Sequence, residues 1–301
     1  MRVLVVGATG FLGRHAARAL EVAGHQVLGT CRAGGPGLVS YQLGDPLATA
    51  VLEFGPEVVV DLGWEGIPDF SPQRCEANVA GQAALFDEVA TLSSVRRLVV
   101  AGSCREYGDA VGLSSGRAIP VDDFGRAKDE VHRMAARCCR DTRVALTWLR
   151  IFYVYGPGQR SGSLLPMVLE DLLAGVEPRV RDWSASHDFI EVSDVAAAIV
   201  ASMESTGSHD VVDLGSGSLS TVTNLVDIAR RTLEGTGQSN ASERYDAGLG
   251  RAILADVDRS EQILGWRPVV PIETGIQRMV DARSGQAARL AGDNVDESGS
   301  T

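Results

Sequence analysis

Three groups of residues have types and spacings that could do chemistry. The first is Gly7-Ala8-Thr9-Gly10-Phe11-Leu12-Gly13. Glycines so spaced let the backbone turn tightly and approach a phosphate, while the N–H groups and dipole of a helix starting there favour an anion. The second is Gly29-Thr30-Cys31-Arg32, the end of the next apolar stretch. A dinucleotide site that selects NAD places a carboxylate here, on the adenosine ribose. This segment has none. Arg32 can pair with the extra phosphate of NADP and Thr30 can donate to it, or Arg32 is only a solvated loop residue. The third is Phe124 with Lys128, at i and i+4 on one helix face. Ser103 joins it at the end of an apolar run, where open α/β sheets bind ligands, although a turn serine would also fit.

The elements that must position these residues follow from the pattern. Val3-Leu4-Val5-Val6 reads as a buried parallel strand, and Leu12, Ala16, Ala19, Leu20 and Ala23 recur at helical spacing. Gly24-His25 closes that helix. Further strands are expected over 26–31, 58–62, 97–101, 144–152 and 211–217, and a helix over 220–233. The reading is an α/β chain with a Rossmann-type doubly wound parallel sheet and a smaller C-terminal α/β lobe. From Ser284 onward the small and polar composition predicts a loose tail.

The chain has 301 residues, 45% of them apolar and 22% charged, with a formal charge of −11. That balance speaks against nucleic acid or an anionic membrane as the main partner. No long apolar run suits a bilayer, and no leader pattern opens the sequence. Five cysteines without a C-x-x-C pair suggest a reduced, metal-free, cytoplasmic protein.

The G-x-x-G-x-x-G spacing resembles the extended branch of the short-chain dehydrogenase/reductase superfamily, which holds nucleotide-sugar epimerases, dehydratases and ketoreductases. The resemblance runs over residues 1–282. It implies that Asp45 and Pro46 meet the adenine and that Leu62, Gly63 and Trp64 line the cofactor, with Gly63-Trp64 an unusual filling. Asn78, at the opening of the following helix, would order the active site or simply cap that helix. Ser103-Cys104-Arg105-Glu106-Tyr107-Gly108 is similar to the family's segment whose serine or threonine meets the reacting sugar oxygen. Cys104-Arg105 stands where dehydratases carry Asp-Glu. Lys128 matches the lysine that holds the nicotinamide ribose, but Phe124 occupies the place of the proton-transferring tyrosine. Either another group, such as Cys104 or a water, supplies the proton, or Phe124 is an introduced Tyr→Phe replacement, which the intact Gly125-Arg126-Ala127-Lys128 favours.

On the substrate side, the resemblance implies contacts from Arg105, Tyr153 (in an asparagine's place), Gln159, Leu164, Leu165, His187 (in an arginine's place, hence a pH-dependent cation) and Arg251. Ser193 or Asp194 would cap the helix after the Asp188–Val192 strand. The implied division is residues 1–155 plus 188–217 for the cofactor, 156–187 plus 218–283 for the nucleotide-sugar, and a tail from 284. The implied activity is NADPH-dependent reduction of a keto group, at C4, on a nucleotide-activated deoxyhexose, by a homodimer. An epimerase that retains NAD, or a catalytically silent NADP(H)-binding sensor, are the alternatives.

Overall fold

The apolar runs at Val3–Val6, Val58–Val60 and Leu98–Val100 are all 2% exposed or less, as strands covered on both faces must be. A computed structural model describes residues 1–205, 209–235 and 252–296. The chain first lays down β1 (Arg2–Val6), α1 (Phe11–Val22), β2 (Gln26–Cys31), β3 (Leu38–Ser40), α2 (Thr49–Phe54), β4 (Val58–Asp61), α3 (Pro72–Thr91) and β5 (Arg97–Ser103). A 3₁₀ turn over Cys104–Tyr107 leads to β6 (Gly112–Leu113), α4 (Asp123–Thr142), β7 (Ala145–Ile151), β8 (Tyr153–Tyr155), α5 (Leu164–Leu173), β9 (Ser186–Glu191), α6 (Val192–Glu204) and β10 (His209–Leu214). Then come β11 (Leu219–Thr221), α7 (Val222–Glu234), β12 (Ile253–Leu254), α8 (Val257–Leu264) and α9 (Ile272–Asp296).

Seven parallel strands form the main sheet in the order β3-β2-β1-β4-β5-β7-β10. The winding runs outward from β1 to β3 and then returns to β4 on β1's other side. The crevice beyond the carboxyl ends of β1 and β4 is therefore where such a sheet binds ligands. Ala16 and Leu20 of α1 and Val195 and Ile199 of α6 cover one face of the sheet. Leu85 and Phe86 of α3 and Val131 and Ala135 of α4 cover the other. A smaller sheet, β11-β9-β8, and helices α5, α7 and α9 share a separate core around Leu165, Val168, Leu225 and Ile276. Among the described residues no helix is long and apolar enough to cross a membrane.

Some ends differ from the sequence pattern. Helix α3 starts at Pro72 with Ser71 as its cap, so Asn78 lies inside the helix and caps nothing. Helix α6 is capped by Glu191, whose carboxylate accepts from the Ser193 N–H at 2.6 Å. Asp194 instead accepts from the Val269 and Val270 N–H groups at 3.1 and 2.9 Å, tying in the chain before α9. The stretch 284–296, expected as a loose tail, continues α9 as helical backbone; local composition does not reveal that a helix already begun can be extended through it.

Candidate active site

A cleft of about 600 Å³ opens where the sheet topology requires it. Gly7, Thr9, Gly10, Phe11, Leu12 and Gly13 form its floor, with Thr30 and Arg32 on one side and Leu62, Gly63 and Trp64 on the other. Gly7 has φ +77°, a conformation that favours glycine. A Cβ on Gly13 would stand 2.0 Å from the Gly7 carbonyl oxygen, so the helix meets the turn backbone to backbone. No side chain caps α1, whose N-cap is Gly10, and its first N–H groups are left for a ligand. This cradle fits a dinucleotide pyrophosphate. Arg32 lines the cleft at the end of β2, and its guanidinium enters no ion pair among the described residues.

Other expected cofactor residues sit differently. Asp45 and Pro46 are exposed on the turn after β3 and do not line the cleft; Tyr41 and Leu43 do. Asn78 is buried behind the cleft wall, and its side chain bonds the Glu65 N–H at 2.7 Å and carbonyl at 3.0 Å. It therefore fixes the 62–66 loop rather than touching a ligand. Gln82 adds a bond to the Gly63 carbonyl at 2.8 Å.

Behind Trp64, β5 and α4 bring the candidate reacting groups together, although Ser103, Phe124 and Lys128 do not themselves line the cleft. Lys128 is 5% exposed and donates from Nζ to the Ala101 carbonyl at 2.7 Å, two residues before Ser103. Its ammonium lies 4.2 Å from the Trp64 ring centroid and 5.9 Å from that of Phe124. Phe124 packs edge-on to Trp64 at 5.2 Å and against Phe70 at 4.6 Å. Asp61, at the end of β4, is fully buried; Oδ1 accepts from the Gly63 N–H at 2.9 Å and Oδ2 has no hydrogen-bond partner. Burial raises its carboxyl to about 6, opposed by the Gly63 N–H and the Lys128 charge. Burial likewise lowers Lys128 to about 8, while Asp61 and Glu106 pull it back up.

Ser103 ends β5 and caps the 3₁₀ turn; its Oγ accepts from the Arg105 N–H at 3.2 Å, which leaves the hydroxyl proton to donate. Behind it, Glu106 accepts from the Ser103 N–H at 2.8 Å, Trp148 Nε1 at 3.1 Å and Arg150 Nε at 2.6 Å. Helix α4 approaches the turn closely, because a Cβ on Gly125 would lie 2.4 Å from the Arg105 carbonyl oxygen. Gly125→Ala is expected to push Phe124 and Lys128 away from β5 and to destabilise the fold by about 1–3 kcal/mol, read by urea unfolding. Cys104 does not face the cleft. It packs with Tyr107, Phe152 and Ala255, and burial pushes its thiol up to about 12, so it is a poor proton source.

On the substrate side, Tyr153 stacks on His187 at 3.9 Å. Burial lowers the His187 pKa below its ordinary value, which disfavours a cation there. Arg105 pairs with Asp122, the cap of α4, at 2.7 Å. Gln159 lines the cleft, donating to the Val154 carbonyl at 3.1 Å while its Oε1 is buried without a partner. Leu165 is 2% exposed in the smaller core with Leu164 packed beside it, so Leu165 supports the lobe rather than a ligand. Arg251 lies outside the described residues. Arg14, Glu65 and Arg160 also line the cleft and were not singled out from sequence. Arg14 immediately follows Gly13, and that adjacency was its only signal. Asp61 hid among the apolar residues of β4.

The fold, the glycine cradle and the lysine behind Trp64 suit a nicotinamide-dinucleotide-binding enzyme architecture. Residues 3–215 match the model of the NAD dependent epimerase/dehydratase family, and the chain belongs to that family, within the extended short-chain dehydrogenases/reductases. It is 30% identical to the dTDP-6-deoxy-L-talose 4-dehydrogenase (NAD(P)(+)) of Kitasatospora kifunensis, over 94% of this chain and 96% of that one. It is 27% identical to the UDP-glucose 4-epimerase of Mycolicibacterium smegmatis, over 93% and 98%. Among solved structures, MoeE5 in complex with UDP-glucose and NAD superposes with a TM-score of 0.78 at 26% identity, over 95% of this chain and 100% of that one.

Proposed function

We propose that the protein is an NADPH-dependent ketoreductase acting on a nucleotide-activated keto-deoxyhexose, with the keto group at C4. The observation that carries this reading is the cleft itself: a pyrophosphate cradle and, where an NAD site has an acid, an Arg32 that enters no ion pair among the described residues, with Lys128 on the far side of the lining residue Trp64, bonded to β5 two residues before Ser103. The dTDP-deoxysugar 4-dehydrogenase relative, named for both cofactors, supports it. The bound dinucleotide supplies a hydride. Gly7, Gly10 and Gly13 would bring backbone to its phosphates, Arg32 and Thr30 would receive the 2′-phosphate, and Lys128 would hold the ribose. Ser103 donates to the carbonyl oxygen and polarises it. Gln159, Arg105 and the Tyr153–His187 stack face the nucleotide-sugar, which sits between a cofactor unit (1–155 plus 188–217) and a substrate lobe (156–187 plus 218–283). The working form is a cytoplasmic homodimer.

The neighbourhood of Phe124 favours a natural departure over an introduced one. Trp64, another departure from the family pattern, touches the Phe124 ring directly, and a single introduced change would not bring an altered neighbour with it. An epimerase would instead retain NAD and need no 2′-phosphate site. Titration by nucleotide fluorescence separates these readings. The native chain is expected to bind NADPH at least ~10-fold more tightly than NADH, and Arg32→Ala is expected to abolish that preference, a loss of about 1.4 kcal/mol or more. Preference for NADH in the native chain would contradict the cofactor assignment.

A further inference from the structure

Lys128 is the only lysine in the 301-residue chain, beside 27 arginines. Its ammonium is buried, yet among the described residues no ion pair holds it. Its one hydrogen bond goes to the Ala101 carbonyl, and the Trp64 ring faces it at 4.2 Å. Asp61, with an unpartnered Oδ2, is on the adjoining strand, where it registers with Val100, the neighbour of Ala101. The charged or titratable groups acting on this pair are Glu106 of the 3₁₀ turn, itself bound to Arg150 of β7, and Tyr41 beyond β3. One turn earlier on the same face of α4, the family's phenol is replaced by the Phe124 ring, which has no proton to exchange.

We infer that Lys128 is the general acid of the reduction, its ammonium buried against the Ala101 carbonyl and the Trp64 ring, with Asp61 on the adjoining strand opposing the loss of its proton. This inference rests on the ketoreductase reading. As the carbonyl carbon accepts a hydride from the reduced nicotinamide dinucleotide, an N–H bond of the ammonium breaks and an O–H bond forms on the former carbonyl oxygen. Lys128 is left as a neutral amine, which solvent reprotonates. A buried ammonium near neutrality suits this role, since a general acid works best with a pKa close to the working pH. Arginine also supplies a cation but keeps its proton at any working pH. That explains a lone lysine in a chain otherwise confined to arginine.

The test has two parts. With ¹³Cε-labelled lysine the protein gives a single side-chain NMR signal, whose titration needs neither cofactor nor substrate. The expected midpoint is near 8 in the native chain and about one pH unit lower in Asp61→Asn, which loses the attracting carboxylate. A midpoint at or above 10, or one unmoved by Asp61→Asn, overturns the inference. The second part follows NADPH oxidation with a nucleotide-linked 4-keto-6-deoxyhexose. The rate should fall as pH rises through about 8, because the ammonium form is required. Lys128→Arg should lower kcat at least ~100-fold with KM for NADPH changed only a few-fold, and adding Phe124→Tyr to it should recover tenfold or more. If Lys128→Arg raises KM alone, or if the native chain is inert while Phe124→Tyr turns over, Lys128 is only a ribose ligand and the inference fails with the reductase reading intact. If neither the native chain nor Phe124→Tyr turns over, the reductase reading itself fails and takes the inference with it.

Discussion

Replacing Arg150 with methionine is expected to cost the fold about 3–5 kcal/mol, the largest stability loss of any single change considered. The guanidinium is 1% exposed, donates to Glu106 at 2.6 Å and to the Gly116 carbonyl at 2.7 Å, and lies 4.4 Å from the Tyr107 ring centroid. Methionine fills much of the volume but leaves the wholly buried Glu106 carboxylate with only the Ser103 and Trp148 N–H groups. An uncompensated buried charge is far more costly than a missing surface pair. The variant carries its own pH signature. Burial already raises the Glu106 carboxyl, and losing the arginine raises it further above its unfolded value. The folded state then binds a proton that the unfolded state does not, so stability falls as pH rises through that window. Urea unfolding should therefore find Arg150→Met less impaired at pH 5 than at pH 8. Adding Glu106→Gln, which removes the stranded charge, should recover part of the loss. A loss under 1 kcal/mol for Arg150→Met would mean that the pair does not hold the end of β5 as described.

The second large effect is expected at Gly13. An alanine methyl would meet the Gly7 carbonyl oxygen at 2.0 Å and the Ala8 carbonyl carbon at 2.9 Å, both rigid backbone. The start of α1 must then tilt away from the turn, and the N–H groups aimed at the pyrophosphate move with it. NADPH affinity should drop at least ~100-fold, about 2.8 kcal/mol. Gly24→Ala is the control. It has φ +84° but open space around it, so it should cost about 1 kcal/mol of stability and leave affinity unchanged. Comparable affinities in the two variants would show that the cradle does not bind the phosphates.

The sheet and the cradle were legible in the sequence because both rest on local signals. Buried strands are apolar runs, and a phosphate turn is glycines at fixed spacing before a helical period. The positions of Ser103 at the end of β5 and Lys128 near the start of α4 were legible for a similar reason, since each stands in a recognisable segment. What was not legible depends on tertiary packing. Asn78 carries the composition of a cap yet serves the loop before it, because α3 begins six residues earlier at a Ser-Pro start. Cys104 is polarisable and sits next to Ser103, but the 3₁₀ turn sends its thiol into the core. Asp61 reads as the last residue of a hydrophobic strand, and only the arrival of Lys128 from α4 makes it electrostatically significant. His187 was expected to be a pH-dependent cation in an arginine's place; burial of its ring, which no local pattern shows, lowers its pKa.

The most direct measurement is NADPH oxidation, followed by absorbance, by the native chain against a panel of nucleotide-linked 4-keto-6-deoxyhexoses. One member is expected to be reduced with one NADPH consumed per hydroxy sugar formed, and NADH is expected to serve poorly. Binding of NADPH without oxidation across the panel, or interconversion of two nucleotide-sugars with no net consumption of cofactor, would contradict it.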